Sequence, residues 1–121
     1  KAAEFVRHAM QFAQRGVAIL ARASFLESAS HYELLFAGEN SLTLYAPFCE
    51  RVAMQLGSWD PKLSSATAYA WFLFVKDFPR IHPFVVPVPP GSKARLTKPD
   101  DASRFGMKAD APLLEGETPC K

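Results

Sequence analysis

The sequence predicts an all-α fold, a small bundle of about four helices, followed by an extended proline-rich arm. Three observations predict it. Apolar residues recur at three- and four-residue intervals through the first half of the chain. Helix start and stop residues punctuate that half at Ser30, Gly38, Gly57 and Asp60-Pro61. Eight of the ten prolines lie from Pro79 onward, where they exclude helix interiors and central strands.

The first expected helix covers residues 2–27. Phe5, Val6, Ala9, Phe12, Ala13, Val17, Leu20 and Ala21 form its apolar face, and Glu4, Arg7, Gln11, Gln14 and Arg15 fall mainly opposite. Gly16 weakens such a helix by about 1 kcal/mol relative to alanine. The second expected helix covers 31–37, with Ser30 as its cap and Glu33 placed as in a capping box. The third covers 42–56, where Leu44, Phe48, Val52 and Leu56 are four apart; Pro47 either kinks it or marks its first turn.

The fourth expected helix covers 61–77. Asp60 followed by Pro61 is a cap residue followed by proline at the first helical position. From 66 to 75 the chain is apolar nearly all round, which marks an element buried on several sides. A strand over 68–75 is the alternative, because periodicity does not separate the two for a short apolar run. The Asp-Pro start and the alanines favour helix, and no sheet of more than two short strands is expected.

Residues 1–78 are thus read as a helical domain and 79–121 as the arm. Within the arm, residues 84–90 should be extended, near polyproline II. Phe84, Val85, Val86 and Val88 form an apolar run held open by prolines, and Leu113 and Leu114 stand near the far end. An extended run of this kind loses less entropy on docking than a flexible one. An arm of about 40 residues with this composition orders only when something pins it.

Composition sets the limits on function. The chain has 121 residues, 49% apolar and 21% charged, with a net charge of +2. That suits one domain with a real core, and the charge is too small to argue for nucleic acid by itself. Residues 62–98 carry six basic residues against Asp77 alone, and Lys93, Arg95 and Lys98 are the set that could meet phosphate. The longest apolar stretch, 63–75, falls short of the roughly 20 residues needed to span a bilayer, so no membrane span is expected.

No chemistry announces itself. His8, His31 and His82 are scattered, and with Cys49 and Cys120 they make no metal-ligand spacing. His8 can pair with Glu4 one helical turn away, and Cys49 is expected to be a buried small apolar side chain. There is no glycine-rich phosphate loop. No catalytic residue, metal or cofactor is expected.

The leading expectation is a non-catalytic interaction subunit whose arm docks on neighbouring protein subunits of a larger assembly. The partner-binding residues are then Phe84, Val85, Val86, Val88, Lys93, Arg95, Lys98, Leu113 and Leu114. Because the first residue is Lys1 rather than Met, either a processed protein that has lost a targeting peptide or a trimmed chain is expected, and an intracellular, mitochondrial location is the candidate compartment. The second reading is a nucleic-acid-associated accessory protein of ribosomal type, using 93–98. The third is a small ligand-binding domain or enzyme.

Overall fold

A computed structural model of the chain describes residues 1–79 and 82–106. Its centre is a four-stranded mixed sheet, so the fold is α/β and the all-α expectation is corrected. The elements are helix α1 (Ala2–Phe12), strand β1 (Gly16–Arg22), strand β2 (Leu44–Pro47), strand β3 (Tyr69–Val75), strand β4 (Phe84–Val85), and the short helices α2 (Ser92–Leu96) and α3 (Asp101–Phe105). Short helical turns at Ala23–Glu27, Ala29–His31 and Glu33–Ala37 connect β1 to β2. The strands lie in the order β1-β3-β2-β4. β3 is antiparallel to both β1 and β2, while β4 runs parallel to β2.

The helix expected over 2–27 breaks after Phe12, where Ala13 turns extended (φ −64°, ψ 135°). Residues 17–21 are apolar at every position, so they satisfy a helical and an alternating pattern equally. Pairing with β3 decides the outcome, and the β-branched Val17 and Ile19 suit a strand. Gly16 opposes Val75, and a Cβ on it would run into the Phe74 carbonyl oxygen. Only glycine lets β1 enter the ladder that closely.

The helix expected over 31–37 survives as helical turns, Ala29–His31 and Glu33–Ala37. The one expected over 42–56 does not form. Leu44–Pro47 is a strand, and Leu56, placed on the supposed buried stripe, is 87% exposed. The one expected over 61–77 is replaced by a loop and β3. Asp60 does accept a hydrogen bond, from the Lys62 N–H to its Oδ1 (2.8 Å). That makes a local side-chain turn, and no helix follows it.

Alternation along β3 builds the core. Ala70, Phe72 and Phe74 are buried on one face. Ala3 and Val6 of α1 pack over them, with Phe25, Leu35 and Leu42 from the connecting segments. Phe72 sits edge-on to Phe25 (5.1 Å between ring centres, 86°) and near Tyr45 (5.2 Å). Each fully buried phenylalanine contributes about 1.5–3 kcal/mol relative to an exposed one.

Candidate docking surface

The second face of the sheet is also apolar. Alternation puts Tyr69, Trp71, Leu73 and Val75 of β3 on it. Register adds Ala18 and Leu20 of β1, opposite Leu73 and Trp71, and Leu44 and Ala46 of β2, opposite the same two residues. Phe84 of β4 lies beside Leu44. None of these outer-face residues belongs to the core cluster. Among the described elements, α1 covers the inner face, and the outer one is left open: Trp71 is 38% exposed and Phe84 55%. Phe78 extends the patch, its ring edge-on to Phe84 at 6.2 Å. A soluble surface rarely keeps a contiguous apolar area of this kind unless something binds it.

The residues expected to bind partners divide around this face. The Phe84 N–H donates to Thr43 O (2.9 Å), that of Val86 to Tyr45 O (2.9 Å), and that of Val88 to Pro47 O (2.8 Å). The run is extended, as expected, but it lies on this chain's own β2. Phe84, Val85 and Val86 remain exposed at the sheet edge. Prolines 83, 87 and 89 alternate with these donors, so no ladder hydrogen bond is lost to them.

Val88 and Lys93 turn instead into an apolar cleft of about 220 Å³ between the 48–63 segment and α2. Phe48, Val52, Trp59, Leu63 and Leu96 line it, with Glu50 at its rim. Glu50 fastens the arm there. Its carboxylate accepts the Lys93 N–H (2.7 Å) and the Gly91 N–H (3.1 Å). Those two bonds, Lys93's first, hold the Glu50 pKa below the ordinary value; slight desolvation opposes them and the Lys93 charge adds to them. Gly91 supplies the left-handed turn (φ 87°) that aims both N–H groups at the carboxylate.

Lys93 and Lys98 line one cleft with Glu50, Pro61 and Thr97, and Arg95 is not among its lining residues. Lys93 Nζ donates to Pro61 O (3.1 Å). Arg95 is exposed on α2, and Lys98 lies beyond it, with its backbone N–H donating to Asp101 Oδ2 (2.8 Å). Leu113 and Leu114 lie outside the described residues, as does Cys120.

Two of the three histidines, His8 and His31, are engaged locally. His8 meets Phe12 edge-on at 5.1 Å, while Glu4 reaches the Lys1 amino group (3.4 Å) rather than His8. His31 stacks on Phe25 and donates from Nδ1 to its carbonyl oxygen (3.1 Å). Cys49, expected to be buried, is exposed. Among the described residues no group of three or more His, Cys, Asp or Glu is placed to hold a metal ion, and no helix is long and apolar enough to cross a membrane.

Trp71, Leu73, Leu44 and Leu20 were missed as residues of a second sheet face because apolar side chains in a dense run read as core. The available signal was that 69–75 is apolar on both alternating sets, which in a sheet means that two faces need covering. Compared with known proteins, the chain matches no family model, no curated protein and no solved structure.

Proposed function

We propose that the chain is a non-catalytic interaction subunit of a larger protein assembly, docking through the outer face of its sheet. The observation that carries this reading is the strip Leu20, Trp71, Leu73, Leu44 and Phe84, apolar across all four strands, with Trp71 and Phe84 exposed and the three leucines half-buried. Exposed Val86 shares the parity of Phe84 and extends the strip past β4, whereas Val85, opposite Tyr45, belongs to the other face. The face is broad and poor in charge, which suits a protein partner better than phosphate. Lys93 already donates to Pro61 O, which weakens the case for nucleic acid.

The test is assembly in the cells where the chain is native. A tagged wild-type chain should sediment with a large species. The double variant Trp71→Thr and Leu73→Thr should sediment as free chain, with an unchanged circular dichroism spectrum. A folded double variant that still travels with the large species contradicts the reading.

A further inference from the structure

The outer edge of β1 is a second place where the fold ends on unpaired chemistry. The Lys76 N–H donates to Arg15 O (2.8 Å) and the Ala23 N–H to Ala68 O (2.8 Å). With the register of β1 on β3, these bonds set the parity. Val17, Ile19 and Ala21 turn their N–H and C=O groups toward β3. Gly16, Ala18, Leu20 and Arg22 turn theirs to the other side. β1 stands first in the strand order, so among the described residues no strand meets those groups. The edge runs for seven residues without proline, lysine or a break in register. Of the charges, prolines and bulges that usually protect an open edge, β1 has one, Arg22 at its end.

We propose that β1 pairs antiparallel with β1 of a second copy of this chain, joining two four-stranded sheets into one of eight strands. This goes beyond docking on a partner, because it needs no other protein. The side chains along the edge suit a second copy. The outward residues are arranged evenly about Ile19, so a two-fold axis there places Ala18 opposite the partner's Leu20 and Gly16 opposite the partner's Arg22. Repeated by symmetry, these pairs make about eight backbone hydrogen bonds. Small side chains meet large ones. Arg22 faces a glycine rather than another arginine, and Arg15, at an odd position, belongs to the opposite face.

A second observation points the same way. Helix α1 packs on β1, yet its Phe5 and Phe12 are 58% and 74% exposed. They are seven residues apart, with His8 between them, and so form one stripe. The two-fold axis is normal to the sheet, so both α1 helices flank it on the same side. The two outer faces likewise become one continuous surface.

The test uses purified full-length chain with Cys49→Ser and Cys120→Ser. Sedimentation equilibrium at micromolar concentration should show a dimer. Ala18→Pro removes an outward N–H that the β1–β3 ladder does not use. It should raise the dimer Kd about tenfold or more, since two hydrogen bonds are lost per dimer. Ile19→Cys, which leaves the backbone donors in place, should cross-link into a disulfide dimer under mild oxidation, and Val17→Cys should not. A monomer overturns the proposal. If its Gly16, Ala18, Leu20 and Arg22 amides resist hydrogen exchange, the chain covers its own edge. A dimer in which Ile19→Cys fails to cross-link also overturns it, because the contact then lies elsewhere. Neither result bears on the outer-face reading.

Discussion

Trp71 and Phe72 are neighbours in β3 that stand on opposite faces of the sheet. Phe72 is fully buried between Phe25 and Tyr45, whereas Trp71 is 38% exposed. One strand therefore closes the core on one side and opens an apolar surface on the other.

That opposition predicts unequal substitutions. Phe72→Ala should destabilise the isolated chain by about 3–5 kcal/mol, because it leaves a cavity among packed rings. Trp71→Thr should cost about 1 kcal/mol or less, within the range of strand preferences at an exposed site. Urea denaturation of the two variants measures the contrast. Equal losses would mean that Trp71 is part of the folding core.

Thr43 ties β2 to both of its neighbours. It is buried, its Oγ1 accepts the Val75 N–H (2.9 Å), and its carbonyl oxygen accepts the Phe84 N–H (2.9 Å). Thr43→Val keeps the shape and strands the Val75 donor, at a cost of about 1–3 kcal/mol. Thr43→Ser keeps the acceptor and should lose only about 0.8 kcal/mol for the missing methyl. If thermal melts rank serine below valine, the hydroxyl is not the important group.

The arm's attachment should depend on acid. The Glu50 pKa is depressed in the folded chain by the Lys93 and Gly91 N–H groups. The stabilisation it gives is therefore complete above the ordinary glutamate pKa, and is lost as pH falls through the lower, folded value. The amide resonances of Gly91 and Lys93 should titrate together, with a midpoint below the ordinary glutamate range. Glu50→Gln should abolish that titration. A midpoint at or above the ordinary value would show that the carboxylate does not hold the turn.

The sequence made some elements legible and hid others for physical reasons. Polar residues set among apolar ones made the helix over Ala2–Phe12 legible, although its buried side is Ala3 and Val6, with Phe5 and Phe12 exposed. Residues 17–21 and 69–75 lack that contrast, and long-range pairing chose between helix and strand. The better guide was residue type: Val17, Ile19, Val75 and the aromatics of β3 favour strands. Asp60-Pro61 looked like a helix start, but the same side chain caps a turn as readily. The extended run at 84–88 was legible from its prolines. Its place beside Leu44 was not, because parallel pairing with β2 is invisible to local pattern.

Oxidative footprinting of Trp71 tests the docking account most directly. The isolated chain and the chain in its native assembly are exposed to hydroxyl radicals, and modification is read by mass spectrometry. Trp71 should be modified readily in the isolated chain and protected in the assembly, together with Leu73 and Phe84. Equal modification of Trp71 in both would contradict the claim that the outer face of the sheet is where this protein docks.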